Sequence, residues 1–234
     1  MFNPNFNSYY KKLANYSLHW LPGDTKTLYE KNLKENYQLL KSNNWIDSSF
    51  TYKFNSHGFR CDEFTDNPTV MFLGCSFTIG IGIPEETTWT NVVSKKLNMN
   101  CANLGQAAGS SDTAFRLCLG WIDIIKPQVV CLLPPHGIRL ELVNNNSIHH
   151  YHARGDHISE YYDNFLKDWS VDDNNDYFNT LKNTIAIESI CTSRNIKYVS
   201  LEMEKFSKLD LARDLAHWGT VSNNNFAEYA LTKF

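Results

Sequence analysis

From Thr69 onward the chain alternates short apolar runs with amphipathic stretches of helical length, and that rhythm limits the folds open to it. TVMFLG (69–74), MNCANLG (99–105), QVVCLLP (128–134) and IKYVSLE (196–202) read as strands. TTWTNVVSKKL (87–97), SSDTAFRLCLGWIDIIK (110–126), DYFNTLKNTIAIESICTSR (176–194) and SNNNFAEYALTKF (222–234) read as helices. Strands that alternate with helices pair in parallel and are covered on both faces. The expected fold is therefore α/β: a three-layer α/β/α domain around a flavodoxin-like parallel sheet. In such sheets functional residues gather beyond the carboxyl ends of the strands. That directs attention to the positions after Leu73, Leu104 and Leu133.

The first fifty residues follow a different pattern. LPGD (21–24) reads as a turn and TLYEKNLKENYQLLK (27–41) as a helix, so residues 1–50 are expected to form an N-terminal helical extension to a main domain spanning 51–234. FTYKFNSHGFR (50–60) alternates like a strand and breaks at Gly58. Residues 138–175 show no clear period and read as irregular, with a short helix near 158–168.

The 234 residues suffice for one α/β domain with a sizeable core. A net charge of −3 gives no reason to expect a nucleic-acid partner, which wants a basic face. No run approaches the roughly 20 apolar residues of a bilayer-spanning helix. The opening MFNPNFNSYYKK lacks the basic and apolar regions of a secretory signal. The six cysteines form no CxxC pair and no small disulfide framework, and several sit in apolar runs. Reduced buried thiols and a cytoplasmic location are expected, with release by another route left open.

FLGCSFTIGIG (72–82) follows the first strand of the rhythm. It is not a Walker loop, since no Lys lies between Gly74 and Lys95, and it is neither GxGxxG nor GxSxG. What remains is a small nucleophile at a strand-to-helix turn, near backbone N–H groups able to stabilise an oxyanion. A serine hydroxyl needs a base that is itself oriented by a third group. ARDLAHWG (212–219) supplies both near the C-terminus: Asp214 and His217, three residues apart, would share one face of a helical turn. The chain order is Ser76, Asp214, His217.

FLGCSFTIG, NLGQAAGSS and DLAHWG occur in the order and relative positions of the SGNH hydrolases, the GDSL-type esterases, which this chain resembles over roughly residues 50–234. FNSHGFR is similar to the lead-in segment of many members. The resemblance implies the SGNH hydrolase fold, with Ser76 as nucleophile, His217 as general base and then acid, and Asp214 as the group orienting His217. It makes the Ser76 N–H one oxyanion donor. It puts a second donor five residues after Asn103, where Ala108 stands, followed by Gly109. The family's GxND after the third strand is absent: the strand ends LLPPHGIRLE, and His136 or Arg139 would have to stand in for the missing Asn. The Asp of the GDS motif is replaced by Cys75.

Simpler roles exist for each residue. Ser76 could merely cap a helix, Cys75 could pack against the sheet, and Asp214 with His217 could be a surface pair. IHHYHARGDH (148–157) offers His149, His150, His152, Asp156 and His157, but without zinc-type spacing on a helix, so no metal is expected there. Arg60 and Arg139 read as structural anchors with a secondary candidacy for substrate binding.

The expected activity is that of a cofactor-free serine esterase working through an acyl-enzyme, with a short acyl group such as acetyl on a carbohydrate or similar small molecule as substrate. A catalytically degenerate binding or assembly protein on the same scaffold, and an acyltransferase with the same triad, are the alternatives.

Overall fold

A computed structural model describes residues 6–135, 138–144, 147–152, 169 and 173–234. Its centre is a four-stranded parallel sheet of β3 (Thr69–Leu73), β4 (Asn100–Asn103), β5 (Val129–Leu132) and β8 (Lys197–Ser200), in the order β4-β3-β5-β8. In order of appearance this is 2-1-3-4, the flavodoxin-like arrangement, with the switch point between β3 and β5. Each strand lies within a few residues of its sequence expectation.

The two-residue period of a strand assigns the core. Val70 and Phe72 of β3, with Val129 and Cys131 of β5, face a layer that includes Trp89, Val93, Phe226 and Ala230. These belong to α4 (Trp89–Leu97) and α7 (Thr220–Leu231). Met71 and Leu73, with Val130 and Leu132, face Leu117, Trp121, Ile122 and Ile187. The latter lie on α5 (Ser111–Ile125) and α6 (Asp173–Ser193). Two helical layers thus sandwich the sheet, as the apolar runs require. The start of α5 is fixed by a reciprocal cap: the Ser110 hydroxyl accepts the Thr113 N–H, and the Thr113 hydroxyl accepts the Ser110 N–H. Among the described residues no helix is long and apolar enough to cross a membrane.

Three expectations need correction. The helix expected over 27–41 is broken into α1 (Lys26–Glu35) and α2 (Tyr37–Ser42), because Asn36 leaves helical geometry and turns its side-chain amide back onto Asn32. The alternation in 50–60 yields only a two-residue strand, β2 (Tyr52–Lys53), antiparallel to β1 (Ser17–Leu18). Beyond it the Asn55 side chain accepts the N–H groups of His57 and Phe59, and a turn replaces the ladder. The stretch read as irregular contains a hairpin, β6 (Arg139–Asn144) with β7 (Ser147–His152). Its histidines mask the strand pattern. The helix expected at 158–168 lies outside the described residues.

The hairpin is fastened through one buried carboxylate. Glu141 pairs with Arg116 at 2.5 Å, and its other oxygen accepts the hydroxyls of Thr113 at 2.8 Å and Tyr9 at 2.6 Å. The neighbouring Asp112 accepts the Glu141 N–H and the side-chain amides of Asn179 and Asn183. One patch of α5 thereby holds the hairpin, α6 and the N-terminal segment. Glu141→Ala leaves Arg116 buried without its partner, so urea unfolding should show a loss of about 3 kcal/mol or more.

Candidate functional site

β3 ends at a turn that only glycine fits. Gly74 has φ +156°, and a Cβ there would lie 2.2 Å from the Thr78 hydroxyl and 2.8 Å from the Leu133 carbonyl oxygen. The chain then enters the short helix α3 (Ser76–Ile79), with Cys75 as its N-terminal flanking residue. The first N–H groups of a helix have no intrahelical partner, so those of Ser76 and Phe77 stand at the rim of the sheet. Ser76 is 7% exposed, whereas the Cys75 thiol is buried, the packing role considered for it.

The second loop is tied to this turn. Asn103 is buried; its amide donates to the Thr78 carbonyl at 2.8 Å and the Thr90 hydroxyl at 3.1 Å, and its oxygen accepts the Gly105 N–H. The Gln106 N–H donates to the Gly74 carbonyl at 3.1 Å. Ala108 has φ +59°, the left-handed region in which glycine is the easier occupant. The Gly109 N–H donates to the Gln106 carbonyl and is already engaged, which leaves Ala108 as the better donor of the two candidates. Arg139 reaches the Gly109 carbonyl at 3.3 Å from the hairpin. His136 lies outside the described residues, as do Asp156 and His157.

Asp214 and His217 are in contact, but not on a helix. They occupy a turn between Leu211 and Trp218, which form an isolated antiparallel bridge. Leu215 adopts φ +59°, and the Ala212 N–H donates to the His217 carbonyl. The turn is organised by the carboxylate: Asp214 Oδ1 accepts the Ala216 and His217 N–H groups, each at 3.0 Å, while Oδ2 pairs with His217 Nδ1. A side chain that caps its own turn meets the residue three positions on as surely as a helix would. The pairing assigns the Nδ1 proton to the Asp214 side and leaves Nε2 for other work. The His217 side chain is 19% exposed and that of Asp214 is 1% exposed.

Two contacts bring this turn to the Ser76 element. The Phe77 ring, next in sequence to Ser76, lies 5.0 Å from the His217 ring and 4.8 Å from Trp218, centroid to centroid. Gly82, in the loop leaving α3, accepts the Arg213 N–H on its carbonyl, and a Cβ on it would sit 3.3 Å from Asp214 Oδ1. Among the described residues the Ser76 hydroxyl takes part in no hydrogen bond, so the serine–histidine link is not formed in this structure.

Arg60 is 1% exposed, and its guanidinium donates to the carbonyls of Ile79, Gly80 and Ile83. That is an anchor for the loop after α3 and leaves no face for a substrate. Beside it, burial pushes the Glu85 carboxyl above its ordinary value of 4.5, against the opposing charge of Arg60. The cysteines are free thiols, and burial pushes Cys101 up to about 12. No group of three or more metal-ligating side chains occurs among the described residues.

No family model matches the chain, and no curated protein does. Solved structures give distant likenesses. A protein of the lipolytic G-D-S-L family from Desulfitobacterium hafniense DCB-2 is 14% identical, with 72% of this chain and 100% of that one covered at a TM-score of 0.40. A G-D-S-L family member from Veillonella parvula DSM 2008 is 15% identical, with 71% and 97% covered at 0.38. A family 3 carbohydrate esterase from Clostridium thermocellum is 13% identical, with 71% and 94% covered at 0.37. TM-scores this far below 0.5 fix neither fold nor function, and the chain's own geometry stands by itself.

The residues missed from sequence are those bracing the Asp214–His217 turn from the N-terminal segment: Asp24, Asn43, Trp45 and Tyr52. Nothing in their local pattern marks them.

Two outcomes are expected. Gly74→Ala should destabilise the fold by about 2 kcal/mol or more in urea titration, from backbone strain and the clash with Thr78 and Leu133. Glu85 holds its proton more tightly folded than unfolded, so its stabilising contribution is complete below pH 4.5 and is lost as pH rises through the raised folded value. Glu85→Gln should therefore raise Tm at pH 7 and leave it nearly unchanged at pH 4.

Proposed function

We propose that the chain is a serine esterase that works through an acyl-enzyme, and the Asp214–His217 pair beside the Ser76 turn carries that reading. The Ser76 oxygen attacks the ester carbonyl carbon as its proton passes to His217 Nε2. Asp214 keeps the imidazole in the right tautomer and stabilises the imidazolium. The oxyanion forms against the N–H of Ser76, with that of Ala108 as second donor. The C–O bond to the alcohol breaks, and the leaving oxygen takes the proton from Nε2. Water then repeats the attack on the acyl carbon, its proton goes to Nε2, and the acid departs as Ser76 regains the proton. Closing the Ser76–His217 gap on substrate binding is ordinary, since catalytic hydrogen bonds often tighten only in the Michaelis complex.

The rim of the sheet supports a substrate class for this reading, although the walls of its cavity do not include Ser76, Asp214 or His217. A cavity of about 690 Å³ opens past the ends of β5 and β8, with Pro134, Tyr177, Thr180, Ser200, Glu202 and Glu204 among its walls. An exposed aromatic ring with hydroxyl and carboxylate acceptors suits a polyhydroxylated leaving group, and the carboxylates disfavour an anionic one. An acetylated carbohydrate or a similar small ester fits this description. Arg139, between the hairpin and the second loop, is the residue assigned to contact it.

The alternative with an observation behind it is a binding protein on the same scaffold. The LLPPHG segment has no Asn where the resemblance would place an oxyanion donor, and losing such a donor typically lowers kcat by about 10²–10³-fold. An acyltransferase would use the same groups, with a sugar or alcohol in place of water.

The test is p-nitrophenyl acetate hydrolysis together with labelling by a fluorophosphonate. The parent chain should give a burst of p-nitrophenol and be labelled at Ser76. Ser76→Ala should abolish both, and Asp214→Asn should lower kcat by roughly 10²–10⁴-fold. A folded parent chain that neither turns over nor labels would replace the esterase reading with the binding one.

A further inference from the structure

The turn that holds Asp214 and His217 caps itself but has one bridge and no regular ladder, so what fixes its placement must come from outside. It comes largely from the N-terminal segment. Arg213, adjacent to Asp214, is 3% exposed and forks onto the equally buried Asp24: Nε lies 3.1 and 3.2 Å from its two oxygens, and Nη2 2.7 Å from Oδ2. Nη2 also donates to the His19 carbonyl at 2.7 Å. The guanidinium carbon lies 4.1 Å from the Trp20 ring centroid and 4.0 Å from that of Phe50. A planar cation held by a fork and two aromatic faces has little rotational freedom left.

The same carboxylate reaches the nucleophile's side of the site. Asp24 Oδ2 accepts the Tyr52 hydroxyl at 2.5 Å, and the Tyr52 hydroxyl oxygen accepts the Gly82 N–H at 2.8 Å. The Gly82 carbonyl in turn accepts the Arg213 N–H at 3.0 Å. Asp24, Tyr52, Gly82 and Arg213 therefore form a closed circuit between the loop leaving α3 and the acid–base turn. Burial, and next the Asp24 charge, push the Tyr52 phenol well up, so it remains a donor. A second pair of contacts holds the other end of the turn: the Asn43 side-chain oxygen accepts the Leu211 N–H, and Trp45 Nε1 donates to the Leu211 carbonyl, each at 2.7 Å.

We propose that the segment from His19 to Tyr52 is a positioning element for the acid–base turn, with Asp24, through Arg213, setting where Asp214 presents His217 to Ser76; this rests on the esterase reading given above. The segment expected from sequence to be an extension is then an integral part of the site, and Asp24 and Arg213 are positioning residues that touch no substrate.

The test is Asp24→Asn, which keeps the shape and one acceptor while removing the charge, alongside Asn43→Ala, which removes one contact on Leu211 from a half-exposed position. Near-UV circular dichroism and Tm establish that each variant is folded at the assay temperature. Two readouts follow: kcat and KM with p-nitrophenyl acetate, and the low-field NMR resonance of the His217 Nδ1 proton shared with Asp214. Asp24→Asn is expected to lower kcat at least tenfold with KM within twofold of the parent, and to broaden or shift the Nδ1 resonance. Asn43→Ala is expected to do the same more weakly, and decides the matter if Asp24→Asn does not fold. A merely structural role would lower Tm and leave both readouts at parental values in the folded variants, and that result overturns the proposal. If the parent chain hydrolyses no ester, the esterase reading fails alone, and the Nδ1 resonance still tests the positioning.

Discussion

Strand β3 is buried on both faces and hydrogen-bonded on both edges, to β4 and to β5, and the rest of the molecule is arranged around that condition. Its backbone polar groups are met only by parallel neighbours, and its side chains only by helices above and below. Parallel pairing forces each connection to cross from one end of the sheet to the other. All four carboxyl ends therefore share one rim, and the loops after β3 and β4 meet there. Gly74, Gln106 and Leu133 close against each other at that meeting point, and Ser76 opens out of it.

The Asp214–His217 pair is built on the opposite principle. Its turn has no strand or helix to rigidify it, and the Asp214 carboxylate serves as both the scaffold of the turn and the partner of the imidazole. Such a turn is only as well placed as its surroundings. Arg213 and Leu211 are gripped by residues 189 and 166 positions earlier in the chain, and Gly82 lies too close for any side chain of its own. Buried ion pairs contribute little net stability on average but resist rearrangement, because separating them leaves an uncompensated charge. The Asp24–Arg213 pair joins segments 189 residues apart and the Arg116–Glu141 pair joins a helix to the hairpin, so specificity of placement matters more than gross stability in both.

How much of this was legible in the chain depended on whether the determining interactions were local. The parallel strands and the main helices announced themselves because burial on one or both faces leaves a periodic trace in the residues themselves. The hairpin at 139–152 left only a short trace: Arg139, Leu140, Glu141 and Leu142 alternate charged and apolar side chains, but His149 and His150 break the period in the second strand, and the partners of Glu141, which are Tyr9, Thr113 and Arg116, lie outside the hairpin. Asp214 and His217 were correctly paired by their spacing, yet the geometry that pairs them is a self-capped turn rather than a helix.

The sequence by itself determined the α/β architecture and the contact of Asp214 with His217, because each is settled within a few residues by periodicity, turn chemistry or reach. Only the tertiary structure decided which carbonyls Arg60 grips, that the Gly109 N–H is already engaged, and that the N-terminal segment braces the Asp214–His217 turn. Those outcomes depend on which distant groups a buried polar atom finds as partners, and no local pattern encodes them.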